Sequence, residues 1–319
     1  MILTIGIPTF NSLDTLIQTL LSIQDQTTTL HNNAVEIYVS DNNSTYDLCF
    51  ELAKVLKHEF YNKITFNINK ENIGYDNNLV AIMNNSRGKY VKLLADDDLL
   101  ESNFLSVFFE NMNSSSNDSE IIITNFTFKS DDLRKVINTN WYDRKVKFDD
   151  NNLFDTLNQL NHAYGQVSSL VFKRESVLSI SKQLFNTNYI HVYWFFCLLE
   201  NRKVALISDS IVVVRQGAPN WSGHNSVDIL TPLGGILAIK QSSLRNNKLK
   251  SDLINQQLSY CFSRLTSMHD QKLSERFSIF SRFYPYSYKK PVFWVFWGPW
   301  ILLPKSIRIM SKKIRKMFI

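Results

Sequence analysis

Three consecutive carboxylates, Asp96, Asp97 and Asp98, follow the apolar run YVKLL in the segment KYVKLLADDDLLES. Neighbouring aspartates repel one another when all are ionised, unless a cation or hydrogen-bond donors compensate their charge. A divalent ion is the simplest compensator, because Mg²⁺ and Mn²⁺ prefer oxygen ligands and bind through one or two carboxylates together with substrate phosphates. The alternative is an acidic turn that caps the following helix, and the triplet by itself fits both explanations.

Short polar segments also follow three earlier apolar runs: PTFNS, SDNNSTYD and NKENIGYDNN. Asp41 can accept a hydrogen bond from a nucleotide base, whereas Asn72, Gly74 and Asn78 allow a loop and the next helix to approach a phosphate or ribose closely. Taken singly, each of these residues also fits ordinary turn chemistry. The candidate donor-binding residues are Pro8, Thr9, Asn11, Asp41, Asn43, Asn72, Gly74, Asn78, Asp96 and Asp97.

The elements that must position these residues alternate along the first half of the chain. Short β-branched runs are followed by longer helical patterns, which predicts βαβ units and a mostly parallel sheet. Ligands of such sheets bind beyond the carboxyl ends of the strands, so the four polar segments are expected to converge on one crevice. The predicted elements are strand LTIGI, helix 13–25, strand VEIYVS, helix 47–60, strand ITFNI, helix 74–86 and strand YVKLL.

The second half has a different pattern. A strand IIITNFTF is followed by a charged, irregular stretch over 131–150, a helix over 151–161, an aromatic helix YIHVYWFFCLLEN and a strand pair in VALISDSIVVVRQ, and residues 229–281 appear mainly helical. We therefore predict an α/β fold with helices on a mostly parallel sheet and a helical C-terminal region. Its expected regions are a first half (1–125), a second half (126–230) and the C-terminal region (231–319).

Composition favours a large globular α/β body. A chain of 319 residues with 44% hydrophobic residues can bury about three quarters of the surface that its unfolded form exposes. The three cysteines, Cys49, Cys197 and Cys261, are far apart and lack C-x-x-C spacing, which indicates neither a disulfide framework nor a zinc site. This cysteine usage predicts a reducing, cytoplasmic location.

The C-terminal tail carries the whole excess of positive charge. Residues 305–319 hold six Lys/Arg and no acid, and the other 29 basic residues balance the 29 acidic ones. Apolar residues at helical spacing predict a helix that lies on an anionic membrane surface, and a helix packed on the body or on a partner is the alternative. The preceding apolar run 291–303 is too short to span a membrane. Nucleic acid is not expected as a partner, because basic residues form no broad patch elsewhere.

The four polar segments together resemble the nucleotide-sugar domain of family 2 glycosyltransferases with a GT-A fold. IPTFN, VSDNNSTYD, NKENIGYDNN and GKYVKLLADDDLL match that pattern in order and spacing over about residues 1–105. The resemblance implies that Pro8, Thr9 and Asp41 hold the nucleotide base. It further implies that Asp97 lies near the ribose or donor sugar and that Asp98, assisted by Asp96, binds Mn²⁺ or Mg²⁺.

The second half more narrowly resembles the abequosyltransferase type of O-antigen enzymes, on the basis of HV before an aromatic helix and VVVRQGAPN after a strand. Many relatives carry a Glu-Asp pair where this chain has His191, and an arginine where it has Asn77. A neutral imidazole can accept a proton from a sugar hydroxyl near neutral pH, although a helix-capping or core histidine is the alternative. His191 and Asp97 are thus the candidate catalytic residues.

The resulting hypothesis is a metal-dependent glycosyltransferase that moves a sugar, expected to be a deoxyhexose, from a nucleoside diphosphate to a lipid-linked glycan at the inner face of the membrane. A nucleotidyltransferase is the first rival, but GIPTFNSLDT lacks the glycine-rich, basic phosphate loop that it would need. A non-catalytic nucleotide-sugar-binding module is the second.

Candidate acceptor contacts are aromatic, hydroxyl, amide and guanidinium groups: Ser168, Ser169, Trp194, Arg215, Asn220 and Trp221.

Overall fold

The computed structural model describes residues 1–26, 34–114, 118–181, 187–216 and 227–265. Within these residues, nine strands belong to a single sheet. The strands are β1 (Leu3–Thr9), β2 (Val35–Asp41), β3 (Ile64–Ile68), β4 (Tyr90–Leu93), β5 (Leu99–Leu100), β6 (Ile121–Lys129), β7 (Val136–Asn138), β8 (Leu170–Lys173) and β9 (Val204–Arg215). Their order across the sheet is β3-β2-β1-β4-β8-β6-β9-β5, and β7 pairs with β6.

Helices connect and flank these strands. The described α-helices are α1 (Leu13–Gln24), α2 (Leu48–Ala53), α3 (His58–Tyr61), α4 (Tyr75–Asn85), α5 (Phe104–Ser114), α6 (Leu153–Gln159), α7 (Arg174–Leu178), α8 (Ile190–Leu198), α9 (Val227–Gln241) and α10 (Asn247–Leu265). None of the helices in this part of the chain is both long and apolar enough to cross a membrane.

The first four strands of the order form the parallel half of the sheet, as the alternating sequence pattern predicts. All seven residues of β1 are buried, because the strand lies between β2 and β4 and beneath helices. Gly6 permits a close approach there, since a Cβ atom at this position would lie 2.4 Å from the Ile82 side chain of α4. The carboxyl ends of β1, β2, β3 and β4 therefore open on one edge of the sheet.

The other half of the sheet is mixed. Strand β8 is antiparallel to both β4 and β6, whereas β9 is parallel to β6 and antiparallel to the short β5. Because β5 follows the aspartate triplet directly, its pairing with β9 places the C-terminal end of β9 next to the aspartates. The short strand β5 is absent from the sequence-based prediction.

The helix predicted over 47–60 is instead two short helices, α2 and α3. The chain is extended at Lys57, with ψ of 132°, and the Lys57 N–H donates to Gln24 Oε1 of α1 at 2.8 Å. A side chain from another helix thus satisfies the backbone donor that a continuous helix would have bonded internally.

The predicted strand pair in 204–216 is a single strand, β9, and this expectation was wrong. Register shifts opposite Asn125 of β6 absorb the polar residues in its middle. The Asn125 amide donates to the Ser208 carbonyl at 3.1 Å and to the Tyr142 carbonyl at 2.8 Å. A bulge therefore replaces the predicted turn, because one buried amide satisfies the backbone groups that the irregularity exposes.

The expected aromatic helix is present as α8, and each of its nine residues is buried. Helices α9 and α10 match the helical pattern predicted from residue 229 as far as residue 265. The predicted boundary at 125 falls within β6 and that at 230 within α9, and the division into regions stays a prediction. The apolar run 291–303 and the basic tail 305–319 lie outside the described residues.

Candidate active site

The aspartate turn follows β4 directly and is held from several sides. Asp98 is only 1% exposed; its Oδ1 accepts from the Arg215 N–H at 2.9 Å and its Oδ2 from Gln166 Nε2 at 3.1 Å. The Asp98 carbonyl accepts from the Thr19 hydroxyl of α1 at 2.8 Å. Asp96 and Asp97 are less buried than Asp98, so a ligand reaches them more readily.

Charge in this turn is poorly compensated. Burial raises the pKa of Asp96 to about 7, the charge of Asp97 adds to the effect, and the nearby Ser12 hydroxyl opposes it. The pKa values of Asp97 and Asp98 are also raised, chiefly by burial. Accumulated negative charge of this kind favours a bound cation.

The donor set fits a hard divalent ion. It offers carboxylate oxygens alone, which Mg²⁺ and Mn²⁺ prefer. Among the described residues there is no cluster of three or more His, Cys, Asp or Glu side chains arranged to hold a metal by themselves. The turn therefore suits an ion that one or two carboxylates share with the oxygens of a bound diphosphate.

Arg215, the last residue of β9, ties the turn to its surroundings. Its Nε donates to the Asp97 carbonyl at 2.9 Å, its Nη1 to the Asp131 carbonyl at 2.7 Å and its Nη2 to Gln18 Oε1 at 2.7 Å. An acceptor that contacts Arg215, as the sequence predicts, would have to compete with these partners. In this structure the guanidinium positions the aspartate turn.

Lys92 is a charged group that the sequence analysis missed. It is fully buried in β4, and its Nζ donates to the Ser168 carbonyl and lies 3.5 Å from the Thr124 hydroxyl. Burial lowers the pKa of Lys92 to about 7, and the charge of Asp98 opposes this shift. The available signal was a lysine in the middle of the apolar run YVKLL. In its protonated form, the ammonium group interacts electrostatically with Asp98.

The ends of β1 and β2 form the predicted base-binding corner. Thr9 and Asp41 are register partners and both are buried, as is Pro8. Asp41 Oδ1 accepts from the Ser44 N–H at 3.1 Å and from its hydroxyl at 2.6 Å. Asn11, at a φ of 54°, accepts the Thr45 N–H at 2.9 Å and thereby joins the two strand-end loops.

A network of amides lies beneath this corner. Asn78 is 2% exposed and bonds to Ser40 at both ends, donating to its carbonyl at 2.9 Å and accepting its hydroxyl at 2.7 Å. Asn42 donates to Asn72 Oδ1 at 2.8 Å and accepts the Ile73 N–H at 2.9 Å. Asn78, expected to contact the donor, therefore supports Asp41 from below. The sequence analysis missed Asn42, which adjoins Asp41.

The loop before α4 and the residue after Asn42 remain open. Asn72, Gly74 and Asn43 are all exposed. Gly74 has a φ of 80° and no atom within 4 Å of a Cβ built on it. The backbone thus takes a conformation that glycine favours and leaves space at the mouth of the corner.

His191 is the second residue of α8 and is 4% exposed. Its ring stacks on Tyr189 with centroids 5.6 Å apart and meets Tyr75 edge-on at 6.5 Å. Nε2 lies 3.3 Å from the Gly165 carbonyl, whereas Nδ1 has no hydrogen-bond partner within the described part of the chain. Burial lowers the pKa of His191 to about 4, so the ring is neutral at pH 7. With its proton on Nε2, Nδ1 is a buried acceptor.

Two consecutive residues connect His191 with the aspartate turn. The Gly165 carbonyl accepts from His191, and the next side chain, Gln166, donates to Asp98. The hydroxyl of Tyr75, whose ring contacts His191, has a raised pKa to which burial contributes most and the charges of Asp97 and Asp96 contribute as well. The histidine and the aspartate turn are therefore linked through Gly165 and Gln166.

The remaining acceptor predictions fall into two groups. Trp194 is fully buried and meets Phe172 edge-on, so it offers no exposed ring face to a sugar. Ser169 is fully buried and donates to the Ala163 carbonyl at 2.6 Å, and the Ser168 hydroxyl accepts the Ala95 N–H at 2.9 Å. These side chains support the site from inside. Asn220 and Trp221 lie outside the described residues.

Solved structures similar to this chain define its fold class. S. aureus TarS 1-349 in complex with UDP-GlcNAc superposes with a TM-score of 0.62 at 14% identity, covering 88% of this chain and 79% of that one. The mannosyltransferase PcManGT from Pyrobaculum calidifontis, in complex with GDP-Man and Mn²⁺, gives a TM-score of 0.54 at 12% identity, with 98% and 87% covered. The predicted GT-A-type fold is confirmed.

Sequence comparison then gives the family. Residues 4–172, more than half of the chain, match Glycosyl transferase family 2, and the chain belongs to this family. It is a nucleotide-sugar-dependent glycosyltransferase. A curated relative, abequosyltransferase RfbV of Salmonella typhimurium, is 25% identical over 228 residues, which are 67% of each protein.

Proposed function

We propose that this glycosyltransferase is metal-dependent and moves a sugar, a deoxyhexose, onto a hydroxyl of a lipid-linked surface glycan such as an O-antigen or capsule intermediate. The abequosyltransferase relative supports a deoxyhexose as the transferred sugar. The observation that carries the catalytic part is the buried Nδ1 of His191, which has no hydrogen-bond partner among the described residues, and the link from His191 through Gly165 and Gln166 to Asp98.

The donor side uses the ends of the parallel strands. Asp41 accepts a hydrogen bond from the nucleotide base, and Pro8 and Thr9 wall the base. The exposed loop around Asn72 and Gly74 lies against the ribose or phosphates, and Asn11 and Asn43 border the same pocket. These roles are supported by the shared edge at which the strands end and by the hydrogen bonds that fix Asp41.

The aspartates divide the remaining work. Asp98, with Asp96, holds Mn²⁺ or Mg²⁺, and Asp97 contacts the ribose or the transferred sugar. A bound divalent ion neutralises charge that develops on the departing diphosphate. Arg215 and Gln166 hold the Asp98 carboxylate in one orientation. Lys92 lowers the cost of gathering the carboxylates before any ligand binds.

His191 acts as the general base. Nδ1 takes the proton of the acceptor hydroxyl as the acceptor oxygen bonds to the anomeric carbon, and the bond from that carbon to the diphosphate oxygen breaks with its electron pair. Direct attack of this kind inverts the configuration. The Gly165 carbonyl supports the required tautomer, because it accepts the Nε2 proton and leaves Nδ1 unprotonated.

Asp98→Ala tests the enzymatic assignment. UDP, GDP, CDP and TDP are first screened by thermal shift with and without Mn²⁺, and the matching sugar nucleotides are then used in transfer assays. We expect Asp98→Ala to lose transfer by at least 100-fold while nucleotide binding persists. Asp155→Asn, an exposed carboxylate of α6, serves as the control. Wild-type protein that binds a nucleotide but transfers no sugar from any donor would favour the binding module.

The basic tail supplies a separate test of the membrane proposal. Deleting residues 305–319 removes six positive charges and is expected to reduce sedimentation with vesicles that contain anionic lipid, at low salt, without reducing turnover of a water-soluble acceptor analogue. Unchanged sedimentation would exclude anchoring by the tail.

A further inference from the structure

Asp76 is a buried carboxylate to which the mechanism above gives no task. It lies in the first turn of α4, is 3% exposed, and reaches the start of α8. Its Oδ2 accepts the Thr187 N–H at 2.7 Å and the Asn188 N–H at 3.0 Å, and its Oδ1 accepts the Ile190 N–H at 3.2 Å. The carboxylate thus binds two backbone donors of the segment that precedes α8 and the first backbone donor of α8, all 111 or more residues away along the chain.

These contacts replace a local helix cap. The first N–H groups of a helix lack partners within the helix and favour negative charge. The N-cap residue of α8, Tyr189, makes no side-chain cap hydrogen bond to the helix. Asp76 of α4 therefore accepts the first N–H of α8, that of Ile190, and holds the segment before the helix, immediately ahead of His191.

Helix α4 is also fixed to the base-binding corner. Asn78, two residues after Asp76, bonds to Ser40, which immediately precedes Asp41. A short, buried and hydrogen-bonded path thus runs from the strand end that carries Asp41, through the first turn of α4, to the start of α8. The side chains along this path are buried and hydrogen-bonded, so a displacement at one end shifts the groups at the other end.

We propose that Asp76 is a positioning residue that sets the location of the His191 ring by capping α8 from the donor side. Its catalytic consequence rests on the proposed role of His191 as the base, whereas its structural consequence does not. Loss of the carboxylate frees the start of α8, and the His191 ring leaves its place between Tyr189 and the Gly165 carbonyl.

The structural consequence is measured on the imidazole nitrogens of His191 by NMR at pH 7, with the signals assigned by their loss in His191→Asn among the six histidines. We expect the nitrogen shifts to move in Asp76→Asn and further in Asp76→Ala, because asparagine retains one of the two accepting oxygens. Asp14→Asn is the matched control, since Asp14 is an exposed aspartate in the first turn of α1. His191 signals that coincide in wild type and both Asp76 variants would overturn the proposal; should Asp76→Ala fail to fold, Asp76→Asn decides.

Kinetics separate this proposal from the function on which it rests. With a donor and acceptor pair from the transfer screen, Asp76→Asn is expected to lower kcat by about 100-fold, the effect of a misplacement of about 1 Å, with the Kd for the nucleoside diphosphate and Mn²⁺ unchanged. Shifted His191 signals with unchanged kcat would uphold the positioning and refute His191 as the base. A fall in nucleotide affinity that matches the fall in kcat would contradict the proposal, because it would place the effect of Asp76 on the donor.

Discussion

The two walls of the candidate site treat buried polar groups in opposite ways. On the donor wall, Ser40, Asn42 and Asn78 are neutral and pair with one another or with the backbone. On the facing wall, Asp96, Asp98 and His191 are ionisable and buried, and the pKa of each is displaced by burial. The amides of the first wall find partners within the protein, whereas on the second the His191 Nδ1 has none among the described residues.

This difference separates stability from function. Paired neutral groups cost little to bury and lose much when one partner is removed. Groups with displaced pKa values cost stability in the folded state, and such groups concentrate where chemistry occurs. Substitutions on the donor wall should therefore act mainly on folding, and those on the facing wall mainly on pH dependence and ligand binding.

Asn78→Ala should give the largest effect. It removes both hydrogen bonds to Ser40 and leaves buried partners unsatisfied, at a cost of about 4 kcal/mol in the free energy of unfolding. Urea unfolding at pH 7 measures it. Asn85→Ala in the same helix is the control, because Asn85 is exposed and should change stability by less than about 0.5 kcal/mol. Equal losses of stability in the two variants would contradict the claim that the paired polar groups of the donor wall contribute to folding.

His191→Gln tests the facing wall by its response to acid. The pKa of His191 falls from 6.5 in the unfolded chain to about 4 in the folded one, so the unfolded state takes up a proton first. The contribution of the neutral His191 ring to the free energy of unfolding is present above pH 6.5 and is lost as the pH falls towards 4. The wild type should lose about 3 kcal/mol more than His191→Gln over this interval. Parallel stability curves would show that the ring is not held neutral by burial.

The Mn²⁺ effect on the same wall should have the opposite direction of pH dependence. Because the pKa of Asp98 is raised, stability is lost as pH rises through neutrality, and a bound cation relieves that loss. At one hundred times its Kd, Mn²⁺ should stabilise the wild type by about 2.7 kcal/mol at pH 8, while the same concentration does less at pH 5. Mn²⁺ should change the stability of Asp98→Asn only slightly at either pH. Equal responses of the two proteins in thermal unfolding would count against Asp98 as the ligand.

Gly74→Ala should give the smallest effect. The space around Gly74 is open, so the cost comes only from the positive φ of 80° and should be about 1–2 kcal/mol. Thermal unfolding measures it, and Gly165→Ala is a control with open space but without a positive φ. A loss above about 3 kcal/mol would indicate packing at this loop that the structure lacks.

The fold and the donor wall were predictable because their signals are local. Alternating β and α patterns gave the parallel half of the sheet, and the segments that follow its strands carry Asp41 and the three aspartates. Contacts between distant residues left no such trace. Nothing near Lys57 indicates that Gln24 interrupts the helix, and nothing near Arg215 indicates that it binds the Asp97 carbonyl across the sheet. Lys92 was visible as a charge in an apolar run, but its partner Ser168 was not.

The Gly165–Gln166 pair has a consequence for how this enzyme can change. The Gly165 carbonyl bonds His191 and the adjacent Gln166 side chain bonds Asp98, so substitutions at positions 165 and 166 should be epistatic with substitutions at both His191 and Asp98. Variation in sugar specificity is then easier to acquire in the exposed loops around Asn43 and Asn72 than in this segment. Libraries that randomise the loops and leave 165–166 fixed would retain more active variants than libraries that do the reverse.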